Sequence, residues 1–145
     1  MASGWGLTPR QSIESECRRR GEKSVARECV AILNGRGIDE AILQVLAGPG
    51  ATTVLNGGAG GVDGYWPRVW AMRGLLYAWD PSASPVVITS VNDSSWRVRE
   101  MSAKVVAKRH LDDAHDAMTV LLDDEVARVR AAAERALIRL VESES

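Results

Sequence analysis

The stretch DDEVARVRAAAERALIRL, residues 123–140, decides the fold. Val129, Ala132, Ala133, Ala136, Leu137 and Leu140 recur in it at steps of three and four. That spacing gathers them on one stripe of an α-helix while Arg128, Glu134, Arg135 and Arg139 turn away. Such a helix is built to bury one face. NDSSWRVREMSAKVVAKR, residues 92–109, repeats the design at an offset of 129 − 98 = 31. Val98, Met101, Val105 and Val106 stand where Val129, Ala132, Ala136 and Leu137 stand, with Arg97 and Arg99 over Arg128 and Arg130. DGYWPRVWAMRGLLYAWD, residues 63–80, reads as a looser copy at an offset of 98 − 69 = 29, with Arg68, Val69, Met72, Leu76 and Tyr77 in the same columns. One amphipathic helix per period of about thirty residues is the pattern of a solenoid, whose units bury their apolar faces by stacking on neighbours.

Between these inner helices the sequence predicts shorter outer ones, over residues 85–91 with Val86, Val87 and Val91, and over residues 112–122 with Ala117, Met118, Leu121 and Leu122. Asp80-Pro81-Ser82 ends a helix that runs from Trp66 to Trp79, and Asp93, Ser94 or Ser95 caps the next. Upstream, Thr8 and Gln11 form a capping box around Pro9 and start a helix ending at Gly21. A second helix covers about 22–34, and a third, capped by Asp39, carries Ile42, Leu43 and Leu46 and stops at Gly48-Pro49-Gly50. Ala51 to Asn56 reads as one or two helical turns, and the tail from Glu142 to Ser145 is expected to fray.

At 145 residues, with 46% hydrophobic and 26% charged residues, the chain has the length and composition of one globular domain. The expected layout is N-terminal helices over 8–62, repeats over 63–142 and a polar tail over 143–145. Five Trp and two Tyr supply all its aromatic bulk, since there is no Phe. A net charge of −1 gives no overall attraction to nucleic acid or an anionic membrane, so any such binding must come from local segregation of charge. No run is apolar enough to span a bilayer and MASGWGLTPR lacks the regions of a signal peptide, which makes a cytoplasmic location the expectation. Cys17 and Cys29 have no zinc-type spacing and read as reduced thiols. The excess of arginine over lysine, with abundant alanine, glycine and valine, is the bias of a GC-rich bacterial genome.

An acidic turn, then Val-Arg, a small pair and Ala-Leu, matched by Asp124, Val129, Arg130, Ala132, Ala133, Ala136 and Leu137, resembles the short HEAT-like repeat of the phycobilisome-lyase type. Asp93, Val98, Arg99, Met101 and Val105 carry it in the middle copy, whereas Trp70 stands in the arginine column of the first. The resemblance covers residues 63–142 and implies an all-α solenoid of helical hairpins with right-handed superhelical sense, its inner helices on the concave side. HEAT-like repeats serve scaffolds, nucleic-acid-binding enzymes and lyases alike, so the resemblance speaks to fold before function.

Few residues are arranged for catalysis. Asp112, His115 and Asp116, with His110 nearby, have the spacing of ligands, but each also suits a helix end: His110 the carbonyl end of one, the aspartates the amide end of the next. The iron hydroxylases built of such repeats carry His-Glu pairs, and none occurs here. GGAGGVDG, residues 57–64, lacks the Lys-Ser or Lys-Thr and the preceding strand of a phosphate loop. Neither cysteine lies near a histidine and no Gly-x-Ser-x-Gly occurs. No cofactor or metal is implied.

Binding is better supported. Arg97, Lys104, Lys108, Arg128, Arg135 and Arg139 lie on the inner helices, opposed by few acids, and form a candidate basic concave face for an acidic partner. Trp66, Trp70, Arg73 and Tyr77 form a second candidate, an aromatic stripe beside the core stripe of the same helix; packing on both sides of that helix is its ordinary explanation. The expected function is a non-catalytic protein–protein interaction module. Ala127, Ala131, Ile138 and Val141 widen the last helix's stripe and make it a candidate dimer surface. The alternative is a nucleic-acid binder akin to the DNA alkylation-repair glycosylases, with Asp63 or Asp80 near Trp66 and Trp79 as its carboxylate.

Overall fold

The structure is a computed structural model that describes residues 7–36, 40–48 and 64–142, all of them helix, turn or irregular chain. Asp39 as a cap, the stop at Pro49-Gly50, the turns over 51–56, the glycine-rich loop up to Asp63 and the tail after Glu142 lie outside those residues. The chain divides into two compact units, Met1–Ala83 and Ser84–Ser145.

In the first unit, helix α1 (Pro9–Arg20) opens on the expected capping box: the Gln11 amide donates to Thr8 Oγ1 at 3.1 Å and the Thr8 amide to Gln11 Oε1 at 2.9 Å. Gly21, at φ 95°, turns the chain into α2 (Glu22–Leu33), a conformation that costs a glycine little. α3 (Glu40–Ala47) and α4 (Trp66–Gly74) follow, and α2 and α3 both pack on α4. Ile13, Val25, Cys29, Leu43, Leu46, Met72 and Leu75 form a core without solvent exposure. Gly74 is a close joint in it, because a Cβ there would stand 2.8 Å from both Cys29 Sγ and Leu46 Cδ2. α4 ends at Gly74 and does not reach Trp79 as the sequence predicts. Leu75, Leu76 and Tyr77 each donate to the carbonyl three residues back, which tightens the chain out of the helix. The Trp79 amide leaves for Glu22 Oε2 at 2.8 Å.

In the second unit, α5 (Ser84–Thr89), α6 (Trp96–Arg109), α7 (His115–Leu121) and α8 (Ala127–Glu142) alternate short and long, with 3-10 turns at Ser90–Asn92 and Asp112–Ala114. α5 packs on α6, α7 on α8, and α8 on α6. Val98, Ala103, Val105, Val106, Met118, Val129, Ala133 and Ala136 are fully buried between them.

The first copy is in register at 31, not at 29. Buried Pro67, Val69, Ala71, Met72, Gly74 and Leu75 map onto buried Val98, Glu100, Ser102, Ala103, Val105 and Val106 (98 − 67 = 31; 106 − 75 = 31). The turns agree: 3-10 segments begin at Pro81 and Asp112, and the following helices at Ser84 and His115. Matching apolar letters misleads here, since Pro67 and Gly74 hold buried positions without a hydrophobic signal. Trp70 thus corresponds to Met101, and Arg68 takes the arginine column.

A polar joint also recurs at 31. The Ser95 amide donates to Asp93 Oδ1 and the Val126 amide to Asp124 Oδ1, each at 2.9 Å. Arg99 Nη1 donates to the Asp93 carbonyl at 2.8 Å, and Arg130 Nη1 to the Asp124 carbonyl at 2.6 Å. Ser95 stands at the N-cap position of α6 without a side-chain cap bond, and the Asp93 carboxylate holds the turn before it through the Ser95 amide. Arg99 also reaches across to the next copy, its Nε 2.7 Å from Asp124 Oδ2 and its Nη2 3.2 Å from Oδ1. Burial alone would raise the Asp124 pKa, but the Arg99 hydrogen bond, the Val126 amide and the charges of Arg99 and Arg130 outweigh it and hold the carboxyl below its usual range. This two-pronged clasp fixes α8 lengthwise against α6.

Candidate functional site

Lys104, Ala107 and Lys108 of α6 and Ala132, Arg135, Ile138 and Arg139 of α8 line a groove of about 430 Å³. Its origin is local. Small residues at 107 and 132 keep the two helices close, while cations spaced four apart, 104 with 108 and 135 with 139, stand one turn above each other on each wall. Ile138, 51% exposed, adds an apolar surface at one side.

The charge balance differs along the groove. Glu100, 6% exposed, accepts from Arg128 Nε at 3.0 Å and faces Lys104 Nζ at 3.9 Å, so Lys104 is partly neutralised. Lys108, Arg135 and Arg139 form no ion pair among the described residues, and no carboxylate lines the groove. The result is an apolar floor rimmed by uncompensated positive charge.

Four of the six cations expected on one basic face meet in this groove. The other two gather on Trp96, with the Arg97 guanidinium 4.5 Å and that of Arg128 5.2 Å from its ring centre. The aromatic stripe expected in α4 is dispersed instead. Trp70 is buried, Trp66 stacks on it at 6.2 Å, and Arg73 Nη2 donates to the Leu46 carbonyl at 2.9 Å. Desolvation lowers the Arg73 pKa. Tyr77 lies beyond the helix end, with Arg10 5.9 Å over its ring.

The remaining candidate chemistry is spread out. Among the described residues no group of three or more His, Cys, Asp and Glu side chains is placed to hold a metal ion. His110 takes the left-handed cap of α6 at φ 58°, and His115 Nδ1 lies 3.8 Å from Asp116 Oδ1. Cys17 and Cys29 carry free thiols, and burial pushes that of Cys29 up to about 12. Asp80 accepts from the Ser82 hydroxyl and amide, which holds its carboxyl below the usual range.

A family model of HEAT repeats matches residues 65–138, just over half of the chain. The chain belongs to the HEAT-repeat family. It is accordingly an all-α solenoid protein, and HEAT repeats commonly serve as protein-interaction scaffolds. The curated proteins and the solved structures gave no match. Among the described residues no helix is long and apolar enough to cross a membrane. One residue of this HEAT unit escapes a reading of the sequence, Ala107, whose only signal is its small size; Glu100 is legible as the four-residue partner of Lys104, but its bond to Arg128, 28 positions away, is not.

Proposed function

We propose that this HEAT-repeat chain is a protein-interaction module and that the α6–α8 groove grips an acidic helical segment of a partner. The observation that carries this reading is the set of Lys108, Arg135 and Arg139, cations without acidic partners over the apolar floor of Ala107, Ala132 and Ile138. An uncompensated cation in water costs little, so the surface is stable without its ligand. A helix with carboxylates one turn apart would answer both walls, and a single apolar side chain between them would enter the floor. Arg97 and Arg128, held on Trp96, extend the positive surface at the other end of α6 and act in steering more than in contact.

Fluorescence anisotropy tests this with a labelled amphipathic peptide carrying glutamates four residues apart and a central leucine. Saturable binding that weakens as salt rises, and falls at least ~10-fold in a Lys108→Glu, Arg135→Glu, Arg139→Glu protein, is the expected result. Equal binding by that triple variant would remove the groove from the account. Preference for single- or double-stranded nucleic acid over the peptide at physiological salt would replace the protein partner.

A further inference from the structure

Arg128, in the first turn of α8, is fixed on two sides. Its Nε donates to Glu100 Oε2 at 3.0 Å, and its guanidinium lies 5.2 Å from the centre of the Trp96 ring. Nη1 and Nη2 have no partner among the described residues, and the side chain is 66% exposed, so the two-pronged edge of the guanidinium meets solvent in a set orientation. An arginine without such supports loses rotamer freedom when it binds; here that loss is already taken in the fold. The surroundings suit an anion of more than one charge. Arg97 brings its guanidinium to 4.5 Å from the same ring, and Lys104 Nζ lies 3.9 Å from Glu100 Oε2. Against Arg97, Lys104 and Arg128 stands the single carboxylate of Glu100, 6% exposed, which leaves +3 − 1 = +2 in the cluster. Asp93 is engaged by the Ser95 amide at 2.9 Å. No side chain caps the amino end of α6, whose peptide dipoles add partial positive charge there.

We infer that Arg128 and Arg97, mounted on Trp96, form a binding site for a phosphate monoester borne by a side chain of the partner. For that occupant the inference rests on the reading of the α6–α8 groove as the seat of an acidic helical segment. Arg128 and Glu100 stand four residues before Ala132 and Lys104, which line the groove, so the site continues it by one helical turn. A phosphoserine or phosphothreonine one turn beyond the segment's carboxylates reaches the fork. Its charge of about −1.5 to −2 answers the cluster, and two of its oxygens answer Nη1 and Nη2. A glutamate brings a single charge, so toward carboxylates the two arginines steer; a phosphate turns the same arginines into a contact. Glu100 and Trp96 are positioning residues, since they touch Arg128 and not the ligand.

The acidic amphipathic peptide carries the test, with a phosphoserine four residues before its first glutamate in one version and four residues after its last in another. One version should bind the natural chain at least ~10-fold more tightly than its serine counterpart. Arg128→Lys and Trp96→Leu leave the net charge unchanged, and each should erase most of that gain while binding the serine peptides as the natural chain does. Arg128→Lys, at an exposed side chain, keeps the test open should Trp96→Leu fail to fold. Serine peptides that bind with no gain from phosphoserine in either version, or a gain that both variants leave intact, would overturn the site while the groove stands. Should no peptide bind, the groove reading fails and the partner-borne phosphate with it. Saturable shifts of the Trp96 and Arg128 amides on titration with inorganic phosphate would then make a free phosphate the ligand of the fork, and their absence would remove the fork as well.

Discussion

Gly74 and Arg99 join helices by opposite means. At Gly74 the first unit brings α2, α3 and α4 together by removing a side chain, so that Cys29 Sγ and Leu46 Cδ2 fill the space a Cβ would need. At Arg99 the second unit adds a long side chain and binds it on both sides, on the Asp93 and Ser94 carbonyls behind and the Asp124 carboxylate ahead. The apolar joint holds by shape and is specific to its own place. The polar joint is a repeated part, and because it fixes the lengthwise position of α8 on α6 it also fixes which cations meet across the groove.

The largest expected effect tests the polar joint. Arg99→Ala leaves Asp124 half-buried without its cation, and urea denaturation should show a loss of about 3 kcal/mol. A loss under about 1 kcal/mol would mean that packing alone sets the register of α8. Gly74→Ala breaks the other joint, at a cost of about 1–3 kcal/mol from overpacking. Pairing it with Cys29→Ala, which removes one of the two crowded atoms, should cost clearly less than the sum of the single changes.

Acid separates the joints further. Asp124 has a folded pKa below its ordinary value, so its contribution is complete above the unfolded pKa and disappears as pH falls through the folded one. Unfolding followed from pH 6 down to about pH 3 should therefore show a steeper loss in the natural chain than in Asp124→Asn, while the Gly74 joint, with no titrating group in this range, adds no slope. An equal slope in both proteins would remove Asp124 from the acid transition. The smallest stability effect belongs to the groove. Reversing Lys108, Arg135 and Arg139 should move the denaturation midpoint hardly at all, within about 0.5 kcal/mol for each surface change, because none of them is paired.

The same contrast explains what a reader of the sequence finds and misses. α1 with its capping box, α6, α8 and the period of 31 between the last two are legible because their signals are local or repeat themselves. The register of the first copy is not, since Pro67 and Gly74 are buried for reasons of backbone shape that no hydrophobic pattern records. Lys104, Lys108, Arg135 and Arg139 stand out in the sequence as cations, and all four line one groove. Arg97 and Arg128 look the same in sequence but lie against the Trp96 ring, and Arg128 is held by Glu100 as well, contacts in space that the sequence does not record. Trp70 and Arg73 look like a ligand platform until the packing of α2 and α3 on α4 takes them up.

The central claim, that binding happens between α6 and α8, is tested most directly by two-dimensional amide NMR of the full chain titrated with the acidic amphipathic peptide. The account predicts shifts that saturate together at Ala107, Lys108, Ala132, Arg135 and Ile138, with Trp66 to Gly74 unmoved. Shifts confined to α4, or spread evenly over every exposed arginine, would contradict it.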